Sequence, residues 1–204
     1  MITLKTCAHA KLNLTLDVLG KRDDGYHDLQ SVMQTISLRD DIEIDVGTGK
    51  PWVLRCDKEG IPCDERNLAW KAAKLYCDTM KKDPDGLEIR ITKRIPSEAG
   101  LGGGSADAAA VLVALNKLYG TNLEDSKLEE MALTLGADVP FFIKGGTVRA
   151  EGIGEKLTSL KNFEEVYIIL AKADKKPSTG EMYKRLDSEN PPKPRVDEFI
   201  NALN

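Results

Sequence analysis

The chain contains 204 residues, of which 41% are hydrophobic and 30% are charged, and its formal net charge is −4. This composition is typical of one large globular domain, or of one domain and part of another. The weak negative charge gives no support for nucleic acid or an acidic membrane surface as a partner, and no apolar run is long enough to cross a bilayer.

The N-terminus and the cysteines both favour a reducing compartment. The first residues lack the basic segment followed by an apolar segment that marks a secretory signal. The cysteines, at Cys7, Cys56, Cys63 and Cys77, show no CxxC spacing, and no histidine lies close in sequence to Cys56 and Cys63. We therefore expect reduced thiols and a cytoplasmic protein.

The first part of the chain is predicted to form strands. Residues 8–18, AHAKLNLTLDV, alternate strictly, which predicts a half-buried strand with Lys11 and Asn13 on its polar face. A turn, GKRDDGYHD, follows. Further strand-like segments lie at residues 29–38, 41–46 and 52–56. Asn67 is predicted to cap a helix that reaches about Met80.

The middle of the chain alternates once more over residues 86–95, and a glycine-rich stretch then leads into a helix that ends at Tyr119, before Gly120. The remaining predicted elements are a helix at 128–135, a helical turn or two at 137–143, a hairpin at 145–160, a buried strand at 166–171, a helix at 180–186 capped by Ser178 or Thr179, and, after the breaker NPPKP, an amphipathic helix from 196. This mixture without regular βαβ repetition predicts an α+β fold.

The glycine-rich stretch IPSEAGLGGGSADAAA, residues 95–110, lies between a predicted strand and a predicted helix. A helix N-terminus carries unsatisfied N–H groups, and glycines let the backbone approach an anion closely. GxxxxGK[ST] is absent, and a dinucleotide fingerprint fails because position 107 is Asp. The pattern favours a phosphate site, with Ser105 either capping the helix or binding phosphate or metal. The competing interpretation is a turn that lets strand and helix pack closely.

Residues 96–108, PSEAGLGGGSADA, resemble the nucleotide-binding loop of the GHMP kinase superfamily. Residues 10–32, 65–73 and 133–155 are similar to motifs of one family within it, whose members use ATP to phosphorylate the 2-hydroxyl of 4-diphosphocytidyl-2-C-methyl-D-erythritol in non-mevalonate isoprenoid biosynthesis. The resemblance implies a ribosomal-protein-S5-domain-2-like N-terminal domain over residues 1–160. It also implies the start of a ferredoxin-like C-terminal domain at 161–204.

The resemblance implies roles for several polar residues. Asp138 matches the catalytic aspartate that accepts the hydroxyl proton, although an Asp before Val-Pro is also an ordinary helix cap. Lys11 matches the catalytic lysine, which would keep Asp138 ionised and stabilise the transferred phosphate. Asn13 matches a substrate-binding asparagine. Tyr26 and His27 would hold the cytosine ring by stacking and hydrogen bonding, unless they only pack within their hairpin.

The resemblance also implies an ATP site with Mg²⁺. The matching positions are Pro96, Gly100, Leu101, Gly102, Gly103, Gly104, Ser105, Ala106 and, for the adenine, Asn67. Ser105 is the candidate metal ligand. Ala106 stands where the family often has a second serine, which removes one hydroxyl contact to phosphate. We expect Glu98 to point away from the phosphates, because a carboxylate beside them is unfavourable.

The family continues into a C-terminal domain with a further glycine-rich motif, and this sequence stops soon after that domain starts. We therefore expect either a working small-molecule kinase lacking a C-terminal portion or a form that is inactive alone. Another GHMP kinase with a different alcohol substrate and a non-catalytic nucleotide-binding regulator are further alternatives. Exposed apolar faces of the incomplete domain predict poor solubility or self-association, unless the missing part is supplied.

Overall fold

A computed structural model describes residues 1–172, 179–189 and 194–203. The chain forms two compact units. The first comprises Met1–Lys11, Thr35–Ser97 and Leu101–Gly145, and the second comprises Leu12–Gln34, Glu98–Gly100 and Gly146–Asn204. Among the described residues, no helix combines the length and the apolar character that crossing a membrane requires.

The secondary structure mixes strands and helices. The strands of the described ranges are β1 (Ile2–Lys21), β2 (His27–Val46), β3 (Val53–Cys56), β4 (Glu88–Thr92), β5 (Thr147–Gly152) and β6 (Lys156–Ser159). The helices there are α1 (Leu68–Met80), α2 (Gly103–Leu118), α3 (Asp125–Leu135), α4 (Phe141–Lys144), α5 (Thr179–Ser188) and α6 (Val196–Leu203). Strands β1 and β2 pair with each other, and each contributes residues to both units.

In the first unit, β4 lies between two strands. It runs parallel to β3, with Leu54 opposite Ile89, and antiparallel to the second half of β2, with Ile42 opposite Ile91. These four side chains are buried, as the alternation of residues 86–95 predicts for Ile89 and Ile91. Helix α2 packs against α1, α3 and α4, and its Leu112 is fully buried. The core of this unit therefore lies between the sheet and the helices.

The predicted start of α1 and the predicted end of α2 are confirmed. The Asn67 side chain accepts a hydrogen bond from the N–H of Ala69 at 2.8 Å, which caps α1. Helix α2 ends at the C-cap residue Tyr119, and Gly120 follows with φ +60°, a left-handed conformation that glycine adopts without steric cost.

In the second unit, β5 pairs antiparallel with the first half of β2 and with β6. The β5–β6 pair confirms the hairpin predicted for residues 145–160. Helix α6 begins where predicted, and Asp17 on β1 accepts hydrogen bonds from the N–H groups of Arg195 and Val196 at 2.6 and 2.8 Å. Phe163 and Phe199 stack with ring centroids 6.4 Å apart, which adds an aromatic contact to the second unit.

The prediction of a buried strand at residues 166–171 is wrong. The segment is assigned no strand, and its side chains are exposed, with Tyr167 and Ile169 almost fully open to solvent. An apolar run forms a buried strand only when a neighbouring strand pairs with it and another layer covers it. Among the described residues, no strand pairs with this segment.

Three smaller predictions also need correction. Residues 29–38 and 41–46 form one continuous strand, β2, rather than two. Leu16 is 47% exposed, although Ala8 and Ala10 on the same predicted face are buried. Alternation predicts the direction of a side chain, but burial also requires an element that covers that face. Helix α3 begins at Asp125, a turn before the predicted start.

The proposed cap Ser178 and most of NPPKP lie outside the described residues.

Candidate active site

Helix α2 begins without a side-chain cap. Gly102 is the N-cap residue, and no side chain accepts a hydrogen bond from the helix start. Ser105, predicted to cap the helix or to bind an anion, is the third helical residue and does not cap it. The first N–H to donate to a helical carbonyl is that of Ala106, to Gly102 O at 2.8 Å. The three preceding N–H groups have no partner inside the helix and can face an anion.

The conformation of Gly102 explains why a glycine occupies this position. Its φ is +72°, and a Cβ there would overlap the ring of Phe142 and lie 3.2 Å from Lys11 Cγ. The backbone N–H of Lys11 donates to the carbonyl of Leu101 at 3.0 Å. The start of α2, the preceding residue Leu101 and Lys11 are therefore packed together within the first unit.

The other positions of the predicted phosphate loop differ in exposure. Leu101 and Ala106 are buried, Pro96 is half-buried, and Gly100 is exposed with φ +76°. Leu101 and Ala106 therefore anchor the loop through their side chains. Glu98 is exposed and has φ +56°, an uncommon value for a residue with a Cβ. Its exposure agrees with a carboxylate that points to solvent, and its direction relative to bound phosphates stays a prediction.

Lys11 and Asp138 are brought together as the sequence suggests. Lys11 Nζ lies 3.7 Å from Asp138 Oδ2, and the two side chains are 5% and 42% exposed. Burial of Lys11 contrasts with the solvated position expected for a lysine on the polar face of a strand. Asp138 therefore presents a carboxylate to solvent while a buried ammonium lies behind it.

The alternative role of Asp138 as a helix cap is not supported. Asp138 lies in the turn at residues 137–140, and the N-cap position of α4 is Pro140, with no side-chain capping hydrogen bond. Asn67, in contrast, is a helix cap whose side-chain amide is engaged at both polar atoms. Its Oδ1 accepts from the N–H of Ala69, and its Nδ2 donates to Pro62 O at 2.8 Å. Its predicted contact with adenine stays a prediction.

The predicted substrate residues belong to the second unit. Tyr26 is 60% exposed, so it does not pack within its hairpin. His27 is buried, its Nε2 donates to Asp187 Oδ1 at 2.7 Å, and its ring stacks on Tyr183 with centroids 4.5 Å apart. The hydrogen bond from His27 lowers the pKa of Asp187. Asn13 is exposed on β1. The sequence pattern gave no signal for Tyr183 or Asp187, because helix α5 is distant in sequence from the Tyr26–His27 turn.

A second set of charged residues was not predicted. Lys93, Asp40 and Asp107 form a buried cluster in which Lys93 Nζ contacts a carboxylate oxygen of each aspartate. Asp107 is the residue that breaks the dinucleotide fingerprint, which was the only sequence signal at this position. Among the described residues, no group of three His, Cys, Asp or Glu side chains is arranged to hold a metal ion.

Comparison with known proteins identifies the class. A family model described as GHMP kinases N terminal domain matches residues 67–146. The chain is similar to a crystal structure of mevalonate kinase from Methanococcus jannaschii, with a TM-score of 0.61, 17% identity, and coverage of 79% of this chain and 56% of that one. The α+β architecture and the glycine loop at the start of α2 therefore define the GHMP kinase fold.

More similar proteins narrow the family. The chain is similar to the crystal structure of a 4-(cytidine 5'-diphospho)-2C-methyl-D-erythritol kinase, with a TM-score of 0.73 and 35% identity. The match covers 98% of this chain and 71% of that kinase. A relative from Clostridium beijerinckii, named 4-diphosphocytidyl-2-C-methyl-D-erythritol kinase, is 48% identical over 98% of this chain. The chain belongs to the 4-diphosphocytidyl-2-C-methyl-D-erythritol kinase family.

The chain is shorter than these relatives. It spans 71% of the Clostridium beijerinckii protein and 64% of a Clostridium botulinum relative of the same name, which is 51% identical over 89% of this chain. Both relatives therefore contain residues that have no counterpart among the 204 of this chain.

Proposed function

We propose that the protein transfers the γ-phosphoryl group of ATP to the 2-hydroxyl of 4-diphosphocytidyl-2-C-methyl-D-erythritol, in non-mevalonate isoprenoid biosynthesis. The observation that carries the proposal is the Lys11–Asp138 ion pair within the unit that also holds the uncapped start of α2. A general base, a cation and a helix terminus that binds phosphate can supply the proton acceptor, the charge stabilisation and the positioning that phosphoryl transfer requires.

Each of these groups has one role in the proposed step. Asp138 accepts the proton of the substrate hydroxyl while that oxygen forms its bond to the γ-phosphorus, and the bond to the β-phosphate oxygen breaks to release ADP. Lys11, whose Nζ lies 3.7 Å from Asp138 Oδ2, stabilises the charge on the transferred group. The N–H groups of Gly103, Gly104 and Ser105 bind phosphate oxygens.

Mg²⁺ is proposed to enter with ATP. Phosphate oxygens of ATP are proposed to supply most of its ligands. The half-buried hydroxyl of Ser105 is the proposed protein ligand. When bound, the metal would neutralise negative charge on the phosphates.

The proposed specificity comes from the second unit. Tyr26 presents an exposed ring suited to stacking on a pyrimidine. The Nε2–H of His27 is engaged by Asp187, which leaves Nδ1 as the ring nitrogen for the base edge. Asn13, which is exposed on β1, is proposed to contact the substrate. These assignments rest on the family resemblance and stay proposals.

A coupled ADP-release assay tests the proposal. The cytidyl substrate is compared with mevalonate and homoserine, because relatives of the fold act on other alcohols. We expect turnover with the cytidyl substrate alone, and Asp138→Asn should abolish it while ADP still binds. Asp78→Asn is the matched control, since Asp78 is an exposed carboxylate that also pairs with a lysine, Lys74. Nucleotide binding without turnover would favour the alternative of a form that is inactive alone.

We also propose a cellular location and partners for the protein. The four cysteines are free thiols, which supports the cytoplasm as the compartment. Besides the small-molecule substrate, we infer self-association through the exposed apolar segment at residues 166–170. Neither nucleic acid nor a membrane is proposed as a partner. The domain boundary at residue 160 also stays a prediction.

A further inference from the structure

A cysteine and a histidine form a pair on β1, within the first unit. Cys7 Sγ lies 3.3 Å from His9 Nε2. The two residues are two positions apart on a strand, so their side chains leave the same face of the sheet. Ala8, between them, is buried in the core on the helix side. The pair therefore lies on the opposite face of the sheet, apart from the groups assigned to phosphoryl transfer.

The neighbouring strand β2 determines which nitrogen of His9 meets the thiol. His9 Nδ1 lies 3.1 Å from the backbone carbonyl oxygen of Ile36. A carbonyl only accepts hydrogen bonds, so Nδ1 is a ring nitrogen that carries hydrogen. Nε2 then faces Cys7 Sγ and shares the proton of the thiol. A nucleophile, a base and a third group that orients the base form the arrangement that activates a thiol.

The thiol of Cys7 is also accessible. Cys7 is half-buried and lines an open groove of about 660 Å³. A reactive cysteine needs both a proton acceptor and access. Cys77 is buried, and the exposed Cys63 contacts the carbonyl oxygen of Ile61, at 3.8 Å, which is not a base. Cys7 combines the two requirements.

The groove beside Cys7 presents charged groups of both signs. Its charged lining residues are Lys5, Arg39, Asp41, Glu43 and Arg90. Lys5 Nζ lies 2.8 Å from Glu43 Oε2, and the side chains of Arg39 and Asp41 are 50% and 41% exposed. Exposed ion pairs contribute little to stability, so these groups can exchange partners with a ligand at small cost. The lining suits a ligand that carries both ammonium and carboxylate groups.

We propose that Cys7 is a thiol-modification site, which reacts with small disulfides built from amino-acid units and uses His9 as its base. Cys7 Sγ forms a bond to one sulfur of the disulfide, and the bond between the two disulfide sulfurs breaks. The proton of Cys7 passes to His9 Nε2 and then to the departing sulfur, which leaves as a thiol. Cys7 is oxidised to a mixed disulfide, and half of the reagent is reduced. The inference does not depend on the proposed function.

The experiment treats the full chain with glutathione disulfide and follows the mixed disulfide at each cysteine by mass spectrometry of peptides. Cys63 is an internal control, because it is exposed and lacks a base. We expect Cys7 to react about tenfold faster than Cys63 or more, and this comparison needs no variant. His9→Gln keeps a polar side chain that cannot take up the proton. It should slow Cys7 by about 10- to 100-fold and leave Cys63 unchanged.

A second reagent tests the class of ligand. With the uncharged bis(2-hydroxyethyl) disulfide, the ratio of the Cys7 rate to the Cys63 rate should be lower by about threefold or more, and high salt should reduce the difference. The larger size of glutathione disulfide works against this result. Equal ratios for the two reagents would overturn the assigned ligand class. Equal rates at Cys7 and Cys63, or an unchanged Cys7 rate in folded His9→Gln, would overturn the inference and leave the proposed function standing.

Discussion

Lys11 and Asp138 face each other across 3.7 Å, and only the aspartate is accessible to solvent. The distance exceeds that of a good hydrogen bond, so the interaction is an ion pair without a fixed proton partner. The carboxylate of Asp138 has one side open to solvent, on which it can accept a proton from a substrate. The pair thus favours a catalytic over a purely structural role.

Replacing Lys11 should separate catalysis from folding. Lys11→Met keeps the buried aliphatic stem and removes the ammonium, so we expect kcat to fall by about 10²- to 10⁴-fold because the transferred phosphate loses its stabilising charge. Because the partner Asp138 is 42% exposed, its solvation should limit the loss of stability. The coupled ADP-release assay and thermal unfolding measure the two effects.

Lys74→Met is the control for Lys11→Met, because Lys74 forms an ion pair with Asp78 on the exposed surface of α1. It should leave kcat unchanged. Equal losses of kcat in both variants, or an unchanged kcat in Lys11→Met, would contradict the assignment of Lys11.

Gly102→Ala should disturb the glycine loop specifically. The left-handed conformation costs a residue with a Cβ about 1–2 kcal/mol, and the added methyl group overlaps the Phe142 ring, so the loop must shift. We expect lower thermal stability and weaker ADP binding, measured by calorimetry. Gly20→Ala is a matched control, because a Cβ at Gly20 meets no atom within 4 Å. Unchanged ADP affinity in Gly102→Ala would contradict the role of the loop.

Local signals in the sequence were sufficient for much of the fold. The cap at Asn67 and the glycine after Tyr119 depend on backbone geometry within a few residues, and both are observed. Alternation likewise identified β4, because its buried residues pack on one face regardless of their distant partners. The Lys11–Asp138 pair joins residues far apart in the chain, so only the family resemblance could suggest it.

Features that depend on distant partners were not predictable. Residues 166–171 have the composition of a buried strand, but no strand in the described ranges pairs with them. Asp40, Lys93 and Asp107 each have the character of surface residues, because charged side chains are seldom buried singly. Their burial becomes favourable only when the fold brings all three together, which no local pattern records.

The difference in stability between Asp107→Asn and the unmodified chain should depend on pH. Between its ordinary pKa of 3.8 and the folded value of about 7, the folded chain keeps a proton that the unfolded chain has lost. The free energy of unfolding of the unmodified chain therefore falls as pH rises through this window and is level above it. The variant should gain stability relative to the unmodified chain, by roughly 2–4 kcal/mol at pH 7.5 compared with pH 4.5.

Denaturant unfolding at pH 4.5, 6 and 7.5 measures this difference, and Asp45→Asn provides a control with the opposite sign. Hydrogen bonds from Thr3 and Arg90 lower the pKa of Asp45, so its carboxylate stabilises the fold above its ordinary pKa. That contribution is complete by pH 4.5, and Asp45→Asn should therefore lose a constant amount across the window. A pH-independent difference for Asp107→Asn would show that Asp107 is ionised throughout.

The exposed apolar segment at residues 166–170 should drive self-association. Tyr167 and Ile169 are the most exposed of its side chains, and burying both against a second copy removes apolar surface from water. We expect sedimentation velocity to show association that Tyr167→Ser with Ile169→Ser weakens by about tenfold or more, since about 1.4 kcal/mol corresponds to tenfold. Leu133→Ser, at a 44% exposed residue on α3, is the control and should not change association. A monomer at every concentration, or equal association in all three proteins, would refute the role of this segment.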